Sequence, residues 1–228
     1  LLFEGAAAIL FSLYFKMTGI FDSWEASIFH GLFHALSSFT NAGFDIFGDS
    51  LYSFHSDYFV QMATMFLIIL GAIGFPVLVE MKEKWFGPQR NFRFSLFTKL
   101  TTATFFALLF LGGLMIWLLE SNHYLAGMRW HEQLFYTLFN TVTSRSAGLA
   151  TMDVSEFGVP TQFLLSILMF IGASPSSVGG GIRTTTFIIV LLALFAFARG
   201  NHEVRAFNRT IRPEDMIKSF VIFSTAIM

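Results

Sequence analysis

Residues 172–183 read GASPSSVGGGIR and interrupt a long apolar stretch. Pro175 and the three glycines at 179–181 are incompatible with a continuous helix. The apolar pieces on either side, Val159–Ile171 and Phe187–Ala198, are each shorter than the roughly 20 residues that a membrane-crossing helix needs. We therefore expect one membrane-crossing segment that is broken near its middle. Irregular backbone at that depth is tolerated only where it lines a wet cavity or is buried in protein.

This broken segment is suited to obstruct a path through the membrane, and we predict that it is a gating loop. A cytoplasmic turn between two separate spans is the plainer alternative, but the flanking pieces are too short for it. A phosphate-binding loop would need a Gly-Lys-Ser/Thr ending, which is missing. Arg183 either contacts carbonyls of the broken loop or a partner helix, or it extends to the cytoplasmic surface. The candidate gating residues are Gly172, Ala173, Ser174, Pro175, Ser176, Ser177, Gly179, Gly180, Gly181 and Arg183.

The composition indicates a membrane protein. Of the 228 residues, 54% are hydrophobic and only 13% are charged, whereas a soluble domain carries about a quarter charged residues. The net charge of -1 argues against a nucleic-acid partner. The chain has no Cys, which excludes disulfides and thiolate metal sites. No pair of acids, nucleophile with a base, or metal cluster points to an enzyme.

Three further apolar segments are Leu1–Phe15, Tyr58–Val79 and Phe97–Leu119. The last two each suit a single helical span. Another helix is predicted to begin near Pro213. Glu214 and Asp215 would lie in its first turn, where the helix dipole favours negative charge.

The basic residues predict the orientation of the chain. Ten of the 14 lie in two connections, 80–99 and 199–218. Because Lys and Arg mark the cytoplasmic side, we expect these connections inside and the acid-rich connections 22–57 and 120–156 outside, in a multi-pass protein of the cell membrane. The ten are Lys82, Lys84, Arg90, Arg93, Lys99, Arg199, Arg205, Arg209, Arg212 and Lys218.

The two outer connections resemble each other and predict an internal repeat. Each begins with an apolar stretch too short to cross a membrane, 24–39 and 130–142, and continues into a polar segment with glycine. The repeating unit is then a helix, a short dipping helix, a glycine-bearing loop and a second helix. The aligned pairs include Gly43 with Gly148, Gln61 with Gln162, and Gly71 with Gly172.

The glycine-bearing loops are candidates for an ion filter. A cation that leaves water needs new oxygen ligands, and potassium filters supply them as backbone carbonyls. Glycine adopts the unusual dihedral angles of such a wall, and the short helix before it directs its negative end at the cation. Either loop alone is as well explained by a turn glycine, but the repetition favours a filter. The candidate residues, which would bind K⁺ through backbone carbonyls, are Thr40, Asn41, Ala42, Gly43, Phe44, Ser146, Ala147, Gly148 and Leu149.

Arg145 directly precedes the second filter segment. A positive charge facing the pore would oppose cations. We therefore expect its side chain to point away, toward Glu132 or Asp153.

These motifs resemble the Trk/Ktr/HKT superfamily of potassium transporters, and the KtrB-type membrane subunit in particular. The resemblance rests on FTNAGFD at 39–45, TSRSAGL at 143–149 and FIGASPSSVGGGIRTTT at 170–186. It implies an all-α integral membrane fold of helix–pore loop–helix units, similar to a potassium channel. Residues 1–84 would be the second unit, 94–209 the third with its broken second helix, and 213–228 the start of the fourth.

The resemblance also implies a function and partners. K⁺ would be the transported ion, Na⁺ a possible activator, and no organic cofactor would bind this subunit. A homodimer in membrane lipid would contact a cytosolic ring of KtrA-type nucleotide-binding regulatory subunits. The functional alternative is a secondary cation carrier with alternating access, in which the broken helix forms a site at the membrane midplane.

Overall fold

The computed structural model describes residues 2–87, 92–201, 203–207 and 209–228; Leu1 and Arg90 of the segments above lie outside them. Two 3-10 turns and a two-residue antiparallel strand pair accompany the helices, and the predicted all-α class is confirmed. The helices are α1 (Leu2–Met17), α2 (Trp24–Phe39), α3 (Tyr58–Ala72), α4 (Phe75–Phe86), α5 (Leu96–Glu120), α6 (Trp130–Thr143), α7 (Val159–Phe170), α8 (Thr184–Ala198) and α9 (Pro213–Ile227); the strands are β1 (Arg205–Ala206) and β2 (Arg209–Thr210).

The short helices α2 and α6 form where the sequence predicted dipping helices. They have 16 and 14 residues, which is too short to cross a bilayer. Side chains satisfy their first amides: the Ser23 hydroxyl accepts the N–H of Ala26 at 3.1 Å, and the Glu132 carboxylate accepts the N–H of Arg129 at 3.0 Å. Both helices therefore begin at residues that local chemistry selects.

Matching contacts support the internal repeat. After each glycine-bearing loop comes a 3-10 turn, Tyr52–Phe54 or Val154–Glu156, and then a helix with a glutamine in its first turn. The Gln61 amide donates to the carbonyls of Phe54 (3.1 Å) and His55 (2.7 Å), and the Gln162 amide donates to those of Ser155 (3.1 Å) and Phe157 (2.9 Å). The aligned glutamines thus hold the preceding turn in the same way.

The segment Tyr58–Val79 is broken, so the prediction of a single continuous helix there is wrong. α3 and α4 meet at an angle of 101° across a two-residue break. Gly74 has φ +96° in this break, a conformation that a Cβ disfavours. Pro76 follows in the first turn of α4, where its missing N–H is harmless. Both breaking residues were visible in the sequence, but the continuous apolar composition suggested one helix.

Among the described residues, only α5 is by itself long and apolar enough to cross a membrane, with 25 residues and a mean hydropathy of 2.1. The α3–α4 pair passes the same test if its two bent halves count as one span. α7 and α8 are shorter apolar helices on either side of the predicted break, which is confirmed.

An aromatic core joins α1 to the first glycine-bearing loop. Phe11 and Phe15 of α1 are fully buried. The Phe15 ring lies 5.7–5.9 Å from the rings of Phe21, Phe47 and Phe54, and such pairs add about 0.5–1.5 kcal/mol each beyond area burial. The same apolar cluster includes Ala147, Leu149 and Ala173. The core is therefore continuous with both loops that carry the candidate site.

The close crossing of α1 and α2 depends on Gly31, which yields a first prediction. A Cβ at Gly31 would lie 2.6 Å from the backbone nitrogen of Ser12, whereas a Cβ at Gly5 of α1 would meet nothing within 4 Å. Gly31→Ala should destabilise the protein by about 1–3 kcal/mol, the usual cost of overpacking. Gly5→Ala should leave the thermal unfolding midpoint of the detergent-solubilised protein unchanged or raised. Equal midpoints for the two variants would contradict this packing.

Candidate functional site

The two glycine-bearing loops have the same backbone shape. Gly43 has φ +73° and Gly148 has φ +75°. Two residues earlier, the aligned Asn41 and Ser146 also have positive φ, +50° and +111°. Residues with a side chain seldom adopt this region. Its recurrence at aligned positions indicates one conformational requirement in both loops.

The loops lie against each other. A Cβ at Gly43 would lie 2.7 Å from the carbonyl oxygen of Ala147, and a Cβ at Gly148 would lie 3.6 Å from the Cα of Gly43. Beyond the glycines, the amide of Leu51 donates to the carbonyl of Ala150 at 2.9 Å. The Ser50 hydroxyl accepts the N–H of Ala150, also at 2.9 Å. Gly43 of the first predicted filter segment thus lies close to Ala147 and Gly148 of the second.

Four consecutive carbonyls in each loop have no hydrogen-bond partner among the described residues: those of residues 40–43 and of residues 145–148. The amides of Ala42 and Ala147 instead donate back to the ends of their own short helices, at 3.1 and 3.0 Å. The carbonyls of Phe44 and Leu149 do have partners, the hydroxyls of Ser37 and Thr143. Each loop is therefore anchored through its amides and its last carbonyl, which leaves four carbonyls available to a ligand.

The predicted gating segment folds back on itself between α7 and α8. The amide of Ala173 donates to the carbonyl of Gly180 at 2.9 Å, and that of Ile182 donates to the carbonyl of Phe170 at 3.0 Å. A Cβ at Gly172 would overlap the carbonyl of Gly180. The paired glycines are thus required because two backbone strands pass within contact distance.

The same segment docks into the break between α3 and α4. Three backbone hydrogen bonds join them: Ser174 to Ala72 (3.0 Å), Val178 to Gly71 (3.4 Å) and Phe75 to Ser176 (3.0 Å). The last carbonyls of α3 and the first amide of α4 lack helical partners, and the predicted gating segment provides them. Because the break at Gly74 was not predicted, neither was this contact.

Arg183 contacts carbonyls of the predicted gating segment, to which it belongs. Its Nη1 donates to the carbonyl of Gly179 and lies 3.4 Å from that of Ser174 and 3.5 Å from the hydroxyl oxygen of Ser177. Of the alternatives open from the sequence, contact with the loop carbonyls is the one observed.

Arg145 does not reach Glu132 or Asp153, and that expectation is wrong. Its side chain is fully buried, and Nη2 donates to the carbonyl of Gly172 at 2.6 Å. The guanidinium carbon lies 4.9 Å from the centroid of the Phe105 ring, a cation–π arrangement. The contact was missed because Arg145 and Gly172 are 27 residues apart and no local pattern joins them.

The acids that follow the loops stabilise local turns. The Asp45 carboxylate accepts the amides of Phe47 and Gly48 at 3.0 and 2.9 Å. Hydrogen bonds from the hydroxyl and the amide of Ser155 lower the pKa of Asp153, so that this acid stays ionised. Within the described part of the chain, no three His, Asp or Glu side chains are grouped to hold a metal ion.

The hydrogen bonds between Arg183 and the loop carbonyls yield a second prediction. Arg183→Gln removes the charge and shortens the side chain, so amides of 172–182 should exchange with solvent faster, by about tenfold for each 1.4 kcal/mol of lost protection. Arg199→Gln, at an exposed site after α8, should not change this segment. Hydrogen–deuterium exchange of the full-length protein measures both. Equal exchange of 172–182 in the two variants would mean that Arg183 does not hold the loop.

Comparisons with known proteins agree with this architecture. The sequence pattern of the TrkH family, described as "Cation transport protein", matches residues 2–227. The chain is 54% identical to the Ktr system potassium uptake protein D of Bacillus subtilis, covering 91% of this chain and 46% of that protein. It is 33% identical to the Ktr system potassium uptake protein B of Vibrio alginolyticus, covering 87% and 44%.

A solved structure extends the agreement to the fold. The crystal structure of the potassium transporter TrkH from Vibrio parahaemolyticus superposes with a TM-score of 0.76 at 19% identity, covering 96% of this chain and 46% of that one. The chain thus spans about half the length of the relatives it matches. Because the family pattern covers nearly the whole chain, the chain belongs to the TrkH family of cation transport proteins.

Proposed function

We propose that this chain forms two quadrants of a potassium-selective filter, together with the gate beneath it, in a membrane protein that takes up potassium. The observation that carries the proposal is the pair of loops whose aligned carbonyls, 40–43 and 145–148, are free of hydrogen bonds to the described residues. Free carbonyls on rigid backbone are the ligands that replace the water shell of K⁺. Relatives named as potassium uptake proteins support K⁺ as the ion.

The filter would work through fixed backbone geometry. The amides of each loop bond to its own short helix, so the carbonyls face away from that helix. The C-terminal ends of α2 and α6 precede the loops and favour a cation by their dipoles. Phe44 and Leu149, whose carbonyls accept hydroxyl hydrogen bonds, would hold the outer ends of the filter segments in place.

The gate would be the segment 172–183. It contacts the second filter segment directly, since the Ser146 hydroxyl oxygen accepts the N–H of Gly180 at 2.9 Å. It is also held by the α3–α4 break and by Arg183. Ion passage would require this segment to leave the path below the filter, and glycines make the movement possible at little steric cost.

The assembly follows from the same proposal. Residues 1–84 would be the second helix–pore loop–helix unit, 94–209 the third and 213–228 the start of the fourth. Two quadrants do not close a filter, so the other units would complete it. The basic connections 80–99 and 199–218 would face the cytoplasm and a KtrA-type nucleotide-binding ring under a homodimer, with Na⁺ as an activator. The name "Ktr system" of two relatives supports a multi-component assembly.

The second candidate is a secondary cation carrier with alternating access. The observation that favours it is that both second helices, α3–α4 and α7–α8, are broken, and broken helices also form midplane sites in carriers. Uptake that saturates with ion concentration and is tightly coupled to a second ion would support the carrier. Channel-like flux that grows with concentration would support the filter.

Substitution of Gly43 by alanine tests the proposed filter. A Cβ there would meet the carbonyl of Ala147 at 2.7 Å, whereas a Cβ at Gly148 would meet only the Cα of Gly43 at 3.6 Å. Both variants strain a positive φ, but only Gly43→Ala displaces a proposed ligand. Gly43→Ala should reduce K⁺ over Na⁺ selectivity by about tenfold, equivalent to about 1.4 kcal/mol, and Gly148→Ala by less. Ion fluxes of the full-length protein in liposomes measure this, and unchanged selectivity in both variants would refute the filter.

Substitution of Gly74 by alanine tests the proposed gate. A Cβ at Gly74 would lie 2.6 Å from the carbonyl of Pro175 and would push the gating segment out of the α3–α4 break. Gly74→Ala should raise K⁺ flux in the absence of regulator by about fivefold or more, since overpacking costs about 1–3 kcal/mol. Gly127→Ala has similar backbone strain at φ +84° but open space around it, and should not raise the flux. If resting flux is the same in the two variants, the docked segment is not the barrier.

A further inference from the structure

Two adjacent residues of the second filter loop bond to the gating segment near its two ends. The Arg145 guanidinium bonds to the carbonyl of Gly172, where the segment begins. The Ser146 hydroxyl accepts the amide of Gly180, where the segment turns back. The ends are also bonded to each other through Ala173 and Gly180. A displacement of either end therefore pulls on the two residues that precede Ala147 and Gly148.

The Arg145 contact is energetically demanding. The side chain is fully buried, and neither a carboxylate nor any other acceptor meets its Nε or Nη1 within the part of the chain that the structure describes. Burying a guanidinium with a single hydrogen bond costs free energy. Breaking the bond to Gly172 would therefore destabilise the fold further. The two unused nitrogens can donate to further loop carbonyls if the segment shifts. The guanidinium can therefore stay hydrogen-bonded to the loop when the loop moves.

The first filter loop lacks this connection. Thr40, which aligns with Arg145, is exposed and its hydroxyl returns to the carbonyl of Leu36 in its own helix. The side-chain amide of Asn41, which aligns with Ser146, donates one hydrogen bond of 3.4 Å to the carbonyl of Ile68 in α3. Both contacts are neutral and neither reaches the gating segment. The charged link is thus specific to the unit that carries the gate.

We infer that Arg145 and Ser146 are positioning residues that couple the filter to the gate, so that the ion bound in the filter and the position of the 172–183 segment influence each other. The inference rests on the proposed function. The coupling is reciprocal by thermodynamic necessity: if moving the segment changes the affinity of the filter for K⁺, then K⁺ shifts the segment by the same factor. Filter carbonyls that bind an ion hold residues 145–148 in place. The hydrogen bonds of Arg145 and Ser146 to the segment then reduce its motion as well.

The test compares the full-length protein in liposomes in K⁺ and in Na⁺ at equal ionic strength. Hydrogen–deuterium exchange of 172–182 reads the coupling, and K⁺ and Na⁺ fluxes of the same preparation read the filter. In the unmodified protein, K⁺ should slow exchange of the segment by about fivefold or more relative to Na⁺. The decisive quantity is this ratio, because a side chain that merely stabilises the fold would change exchange equally in both ions.

The variants are Arg145→Gln, Arg145→Lys and Ser146→Ala. Arg145→Gln and Ser146→Ala should bring the K⁺ to Na⁺ exchange ratio close to one. Arg145→Lys keeps a charge and a donor and should restore part of it. Arg129→Gln removes an exposed charge outside both loops and should keep the full ratio. If the buried-arginine variants do not fold, Ser146→Ala, at a half-buried hydroxyl, decides the question.

Two results would overturn the coupling while leaving the filter intact. One is selective K⁺ flux in the unmodified protein with the same segment exchange in both ions. The other is an unaltered exchange ratio in Ser146→Ala and in every folded Arg145 variant. Absence of K⁺ over Na⁺ preference in the flux of the unmodified protein would instead refute the proposed filter, and the coupling with it.

Discussion

Backbone that leaves helical geometry inside a bilayer must find hydrogen-bond partners within the protein, because lipid offers none. This constraint shapes the whole arrangement. The chain interrupts two apolar helices, and each interruption supplies hydrogen-bond partners to the other. Amides of the 172–183 segment donate to the last carbonyls of α3, and the first amide of α4 donates to a carbonyl of the segment. The two breaks are therefore joined in the fold, although they lie far apart in the chain.

The same constraint gives the free carbonyls of the loops their meaning. Their amides are bonded at the ends of α2 and α6, and the hydroxyls of Ser37 and Thr143 donate to the next carbonyl along the chain. Among the residues that the structure describes, the carbonyls of 40–43 and 145–148 have no hydrogen-bond partner, and unpaired polar groups inside a membrane protein are costly. A ligand that supplies positive charge would remove that cost, which is the physical basis for proposing that the loops bind a cation.

Most of the elements could be predicted from the sequence. The short helices α2 and α6, the long α5 and the start of α9 at Pro213 all agree with apolar runs bounded by caps, acids or proline. The break at 172–183 was evident because proline and three consecutive glycines are strong local signals. The break at Gly74 was not predicted, because a single glycine followed by proline is a weaker signal inside a continuous apolar run. The partner of Arg145 was missed because hydrogen bonds across 27 residues leave no pattern in the chain.

By itself, the sequence determined which segments are apolar, where the strongest breakers lie and which two loops correspond, since these depend on residue type and spacing alone. Only the tertiary structure decided that Gly43 lies beside Ala147, that the segment 172–183 occupies the break after α3, and that Arg145 is buried against Gly172 and Phe105. The reason is that close packing and hydrogen-bond satisfaction are settled between segments distant in the chain. Which backbone groups remain free for an ion is known only after every other group has found its partner.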